Sequence, residues 1–85
     1  MSKLTEKVIV ITGASEGIGR ALAVTLAPQR PRLVLAARSR DRLQSCADEC
    51  SAIGAECLIV PTDVTDENEC KNLIDETIER FGRID

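Results

Sequence analysis

Residues 12–19 read Thr-Gly-Ala-Ser-Glu-Gly-Ile-Gly, and this glycine-rich stretch decides the fold. It follows an unbroken apolar run from Val8 to Ile11 and precedes a segment with helical apolar spacing. Gly13 permits a turn off the strand, Gly17 permits close approach of a pyrophosphate, and Gly19 permits tight helix packing. The start of the helix then offers unpaired amides and the positive end of its dipole to an anion. A glycine-rich turn that binds no ligand is the alternative.

The rest of the chain alternates short β-branched runs with longer helical patterns. Strands are predicted at residues 7–12, 32–37 and 56–60, and a helical pattern follows each of them. This alternation is typical of βαβ units around a parallel sheet. We therefore predict an α/β fold, the amino-terminal half of a Rossmann-type doubly wound parallel sheet with strand order 3-2-1.

The three predicted helices have recognisable ends and apolar faces. The first should end at Pro28, the second should run from a Ser39 cap to Gly54, and the third should run from Thr65 or Asp66 to Gly82. The residues expected on the inner faces are Ile18, Ala21, Leu22, Thr25 and Leu26; then Leu43, Cys46, Ala47, Cys50 and Ile53; and finally Cys70, Leu73, Ile74, Thr77, Ile78 and Phe81.

Composition restricts the function classes. The 85 residues carry a formal net charge of -3 and one aromatic residue, Phe81, which argues against nucleic-acid binding. The apolar run Val8 to Ile11 is too short for a membrane span or a secretory signal, so we expect a cytoplasmic protein with no membrane contact. The four cysteines show no C-x-x-C spacing and the chain has no histidine. We therefore expect no metal site, and reduced cysteines that serve as small apolar residues.

The stretch T-G-A-S-E-G-I-G, with three residues between its first two glycines, resembles the short-chain dehydrogenase/reductase family. The resemblance continues through Leu33 to Arg38, Asp63-Val64 and Phe81 to Asp85, so it covers essentially the whole chain. It implies that Asp63 bonds the adenine amino group of a dinucleotide and that Val64 packs beside the ring. A surface loop acid or a helix cap is the alternative for Asp63. The resemblance also implies contacts to the phosphates and the adjoining ribose from Gly13, Ser15, Glu16, Gly17, Ile18 and Gly19.

Charge at the end of the second strand indicates which nicotinamide cofactor is bound. NAD-specific folds place an acid there, about 20 residues after the glycine turn, to bond the ribose 2′-hydroxyl. Ala37 occupies that place and Arg38 follows, so the guanidinium, aided by Ser39 and Arg42, would grip the 2′-phosphate of NADP. Glu16 stands where some NADP-preferring relatives carry a second basic residue. The alternative for the arginines is a solvated helix start.

The resemblance implies an enzyme that moves a hydride between NADP(H) and a small carbonyl or alcohol substrate, using a tyrosine with a nearby lysine, a serine and an asparagine. The chain has no tyrosine and no histidine, so alone it should be inactive. We expect residues 1–85 to be the amino-terminal part of a single NAD(P)-binding domain, truncated before its fourth strand. A homo-oligomer is compatible with this reading. A non-catalytic dinucleotide-binding or interaction module is the rival.

Overall fold

The computed structural model describes residues 4–85, which form one three-stranded parallel sheet with helices on both faces. The predicted strand order 3-2-1 is confirmed, because β2 pairs with both β1 and β3. In chain order the elements are β1 (Val8–Thr12), α1 (Gly17–Leu26), a 3-10 turn (Ala27–Gln29), β2 (Arg32–Ala37), α2 (Arg40–Ile53), β3 (Glu56–Pro61) and α3 (Glu67–Phe81).

The central strand β2 carries the core. Leu33 to Ala37 are all buried, as expected for a strand of a parallel sheet that is covered on both faces. Leu33 and Leu35 face a cluster with α1 and α2, whereas Val34 faces a second cluster with α3. Val8 pairs with Arg32 and Arg32 pairs with Glu56, so the three strands start in line. Their carboxyl ends therefore lie together at one edge of the sheet.

Helix α1 buries a different face from the one predicted. Ile18 is 89% exposed and Leu22 is also exposed, whereas Ala23 and Ala27 are fully buried. The prediction followed the larger apolar side chains, but the fully buried positions are alanines, and Val24 and Leu26 pack against the same cluster while only partly buried. Of the other residues predicted on that face, Leu26 is half-buried, and Ala21 and Thr25 are exposed.

Helices α2 and α3 follow their predicted faces in part. Leu43, Cys46, Ala47 and Cys50 of α2 are buried, but Ile53 in its last turn is exposed. In α3, Leu73 and Thr77 are buried and Cys70 and Phe81 are half-buried, whereas Ile74 and Ile78 are exposed. Within residues 4–85, the apolar stripe of α3 is therefore buried on the side of Leu73 and Thr77 and exposed on the side of Ile74 and Ile78.

The chain turns from α1 into β2 without using a glycine residue. The helix ends at Leu26, two residues before the predicted end at Pro28, and the 3-10 turn Ala27–Gln29 follows. Arg30 then adopts a left-handed conformation with φ of 61°, and its amide donates to the Ala27 carbonyl oxygen at 3.0 Å. A non-glycine residue in this conformation is uncommon, so this corner carries some backbone strain.

Asp85 lies against the start of β1 on the side away from β2. The Val8 amide donates to Asp85 Oδ2 at 2.9 Å, and the Asp85 amide donates to the Val8 carbonyl oxygen at 2.8 Å. The backbone hydrogen-bonding groups of Val8 on this side are therefore both satisfied by one residue. No helix among residues 4–85 is both long enough and apolar enough to cross a bilayer.

Candidate cofactor-binding site

The glycine turn between β1 and α1 needs glycine for its backbone conformation. Gly13 and Gly17 have φ angles of 67° and 62°, in the left-handed region that side chains disfavour. A Cβ atom at either position would meet no described atom within 4 Å, so conformation rather than space demands the glycine. The Ala14 amide donates to the Ala36 carbonyl oxygen at 3.2 Å, which ties the turn to the end of β2.

Gly19 is required for a different reason. A Cβ atom there would lie 2.2 Å from the Gly13 carbonyl oxygen and 2.7 Å from its carbonyl carbon. The close packing predicted for Gly19 therefore exists, but the partner is the glycine turn itself. This contact holds the first turn of α1 against the backbone that leaves β1.

The start of α1 has no side-chain cap. Glu16 occupies the N-cap position with an extended backbone, yet its carboxylate makes no capping hydrogen bond to the helix. The first amides of a helix have no partner within the helix, and these are not covered by the side chain that precedes them. They and the helix dipole thus favour a negatively charged group in front of α1.

The Glu16 carboxylate instead binds an arginine from the neighbouring helix. Arg42 Nη1 lies 2.9 Å from Glu16 Oε2, and both side chains are largely exposed. Arg42 lies in the first turn of α2, where its amide donates to Ser39 Oγ at 3.3 Å. Ser39 therefore caps α2, as the sequence predicts, and an ion pair joins the glycine turn to this helix.

A second ion pair joins β2 to the loop after β3. Arg38 is 75% exposed, and its Nη2 lies 3.3 Å from Asp63 Oδ1. The same oxygen accepts hydrogen bonds from the Thr65 amide at 2.9 Å and the Thr65 hydroxyl at 2.7 Å. These bonds, with the charge of Arg38, hold the pKa of the Asp63 carboxyl below its ordinary value.

Asp63 is not a helix cap. Asp66 caps α3, accepting from the amides of Asn68 at 2.9 Å and Glu69 at 3.2 Å, which settles the choice between Thr65 and Asp66. Glu69 Oε1 in turn accepts from the Asp63 amide at 3.1 Å and so steadies this loop. All three hydrogen bonds that the described residues make to the Asp63 carboxylate fall on Oδ1.

The structure thus brings predicted site residues from three loops to the carboxyl edge of the sheet. Ion pairs link Glu16 with Arg42 and Arg38 with Asp63, while Ser15 is half-buried and Ile18 and Val64 are exposed apolar side chains. The prediction did not include Thr65. The Asp-x-Thr spacing could have predicted this contact, because an aspartate carboxylate often accepts hydrogen bonds from the residue two positions later.

One of the four cysteines lies beside this edge, where the Cys70 thiol donates to the Val64 carbonyl oxygen at 3.3 Å. Cys46 and Cys50 are buried between α2 and the sheet, Cys57 and Cys70 are half-buried, and all four are free thiols. Burial, reinforced by the neighbouring Cys46 and Cys57, raises the pKa of Cys50 to about 12. No group of three or more metal-ligating side chains within residues 4–85 is placed to hold a metal ion.

Comparison with known proteins places this geometry in a family. Residues 7–85 match the family model described as short chain dehydrogenase. An 11-beta-hydroxysteroid dehydrogenase of Pinus massoniana is 45% identical over 80 residues, which are 93% of this chain and 22% of that protein. An 11-beta-hydroxysteroid dehydrogenase-like protein of Arabidopsis thaliana is 43% identical over 83 residues, 96% of this chain and 27% of that protein.

A solved structure agrees with these sequence matches. A metagenomic short-chain oxidoreductase in complex with NADP superposes with a TM-score of 0.92 at 33% identity, covering 99% of this chain and 38% of that one. The chain thus spans well under half the length of the proteins it matches. The family match over almost all of its residues, the shared fold and the glycine turn lead to one conclusion: this chain belongs to the short-chain dehydrogenase family.

Proposed function

We propose that this chain is the NADP-binding amino-terminal part of an oxidoreductase that moves a hydride between NADP(H) and a small carbonyl or alcohol substrate. One observation carries the proposal: the uncapped start of α1 and the exposed guanidinium of Arg38 lie at the same edge of the sheet. Ligands of open parallel sheets bind at this edge. In the proposal Gly13, Ser15, Glu16, Gly17, Ile18 and Gly19 surround the phosphates and the adjoining ribose.

The end of β2 suits a 2′-phosphate. Ala37 offers no carboxylate to repel the phosphate, and Arg38 offers two nitrogen donors that match its oxygens. Ser39 adds a hydroxyl and Arg42 adds a second guanidinium in the first turn of α2, whose dipole also favours an anion. The bound NADP of the similar metagenomic oxidoreductase supports the same choice of cofactor.

Asp63 and Val64 suit the adenine ring. Because the contacts from Thr65 and Arg38 fall on Oδ1, the second carboxylate oxygen of Asp63 remains to accept a hydrogen bond from the adenine amino group. At neutral pH the carboxyl group is ionised and acts as an acceptor only, and the lowered pKa extends that state to more acidic pH. Val64 is exposed next to it and offers an apolar surface to the ring.

The bound cofactor would supply the hydride, and the chain's own residues would position it. The described residues hold the phosphates and the adenosine end, but the sequence has neither tyrosine nor histidine. In the proposal, the group that transfers the proton to the substrate therefore comes from sequence beyond these 85 residues.

Cofactor affinities in the full-length protein that contains this chain test the proposal. NADP should bind more tightly than NAD, and combined Ala37→Asp and Arg38→Ala substitutions should cost about 1.5 to 3 kcal/mol of NADP binding, roughly a 10- to 150-fold change. Arg80→Ala is a matched control, because Arg80 is also an exposed arginine in an ion pair but lies on α3. Equal affinities in the parent, or no effect of the double substitution, would refute the proposal.

The same glycine turn would also serve one rival, a non-catalytic module that uses it to hold a dinucleotide or to interact with another chain. The two proposals differ in the sequence that follows Asp85, where an enzyme requires a Tyr-x-x-x-Lys pair. They also differ in turnover: the full-length protein should oxidise NADPH with some member of a carbonyl panel, whereas the isolated 85-residue chain should not. Turnover by the pure isolated chain would contradict both proposals.

A further inference from the structure

We propose that Glu16 is a specificity-determining residue that weakens NADP binding by holding Arg42 away from the 2′-phosphate. The inference rests on the proposed function and adds to it a residue that opposes the preferred cofactor. Its basis is the ion pair between Glu16 Oε2 and Arg42 Nη1, at 2.9 Å, which joins the glycine turn to the first turn of α2.

The two arginines near the end of β2 are held in different ways. Arg38 shares Asp63 Oδ1 with both donors of Thr65, so the Asp63 carboxylate stays hydrogen-bonded when Arg38 turns to a phosphate. Glu16 has no such support, because Arg42 is the hydrogen-bond partner that the described residues give its carboxylate. Moving Arg42 to a phosphate therefore leaves Glu16 as an unpaired negative charge beside the site.

Arg42 can still contribute to binding of the 2′-phosphate, because its ion pair with Glu16 is weak. Both side chains are more than half exposed, and exposed ion pairs of this kind are weak. A phosphate that carries nearly two negative charges competes well against one carboxylate for the same guanidinium. Glu16 is thus a partial competitor, and its removal should improve the binding of NADP more than that of NAD, which has no 2′-phosphate.

The matched control comes from the same pair of helices. Arg20 of α1 and Glu49 of α2 form an ion pair at 3.0 Å, and both are partly exposed. Like Glu16–Arg42, this pair joins the first βα unit to α2, but it lies nearer the opposite end of α2. Glu49→Gln therefore removes one carboxylate and one interhelical ion pair without touching the proposed 2′-phosphate site.

The experiment measures dissociation constants of NADP and NAD for the full-length protein and its Glu16→Gln and Glu49→Gln variants. Glu16→Gln should tighten NADP binding about 2- to 5-fold, the range of an exposed ion pair, and should tighten NAD binding by a smaller factor, so that the preference for NADP over NAD rises. Glu49→Gln should change neither. The inference is overturned if Glu16→Gln leaves NADP affinity unchanged or weakens it, or if NAD tightens by the same factor.

A double-substitution cycle identifies the route. If Glu16 acts by holding Arg42, the gain from Glu16→Gln should disappear when Arg42→Gln is also present. A gain that persists in full without Arg42 would overturn the inference, because Glu16 would then act on the phosphate directly. Failure of the proposed function looks different: the unsubstituted protein would show no preference for NADP at all.

Discussion

Replacing Gly19 with alanine sets two opposing effects against each other in α1. Alanine is the better helix former, and at an exposed helix position this exchange stabilises a protein by about 1 kcal/mol. At Gly19, however, the new Cβ would lie 2.2 Å from the Gly13 carbonyl oxygen, so the helix and the turn must separate by close to an ångström. Overpacking of this kind costs about 1 to 3 kcal/mol and sometimes more.

The steric term should win because the atoms that obstruct the new methyl are backbone atoms of Gly13 and Ala14, which no side-chain rotation can remove. We expect Gly19→Ala to lower the free energy of unfolding by about 2 kcal/mol, the upper overpacking cost less the gain in propensity. NADP binding should weaken as well, because the turn that faces the phosphates must shift.

Urea unfolding of the full-length protein, followed by circular dichroism, measures this change. Ala21→Gly is the matched control: Ala21 is exposed two residues further along α1, so the reverse exchange there reports helix propensity alone and should cost about 1 kcal/mol. A Gly19→Ala protein that is as stable as the parent, or more stable, would refute the steric reasoning.

Three further predictions concern other parts of the chain. Asp66→Ala removes the cap of α3 and should cost about 1 kcal/mol in urea unfolding, whereas the exposed Asp75→Ala, in mid-helix, should cost less; equal losses would contradict the cap. Hydrogen bonds from Val8 and Arg83 lower the pKa of Asp85, so its stabilisation is present above the ordinary aspartate range and is lost as the pH falls through the lowered value. Asp85→Asn should therefore lower the urea midpoint at pH 7 and reduce its acid dependence; a parallel acid profile would count against this. Because the pKa of Cys50 is raised to about 12, iodoacetamide at pH 8 should label Cys50 far more slowly in the folded than in the unfolded protein, and equal rates by peptide mass spectrometry would disprove it.

Local patterns predicted the strands and the helix ends well. The β-branched runs, the Ser39 cap and the Gly82 stop each depend on neighbouring residues, and the structure confirms all of them. Side-chain burial across an element was predicted less well. The fully buried positions in and just after α1 are Ala23 and Ala27. With the half-buried Gly19 they form an i, i+4, i+8 series of small residues that hydropathy alone ranks below Ile18 and Leu22.

The exposed Ile74 and Ile78 show the same limit in α3. Periodicity indicates which residues could be buried together, but how far that burial extends depends on what packs against the helix. The sequence also could not predict which acidic residues form ion pairs with Arg38 and Arg42. Glu16 and Arg42 are 26 residues apart, and only the fold determines that their loops meet. The contact roles assigned to the site residues remain predictions.

The even strand spacing has a consequence for how the chain folds. Residues of β1 pair with residues 24 positions later in β2, and residues of β2 pair with residues 24 positions later in β3. The two pairings therefore close loops of equal length, at a similar cost in chain entropy. Burial then decides which unit forms first. Helix α2 buries Leu43 and two cysteines, whereas α1 buries only small side chains, so the nucleus should form around β2, α2 and β3. Leu43→Ala should accordingly slow refolding in stopped-flow measurements, whereas Ala23→Gly should mainly speed unfolding.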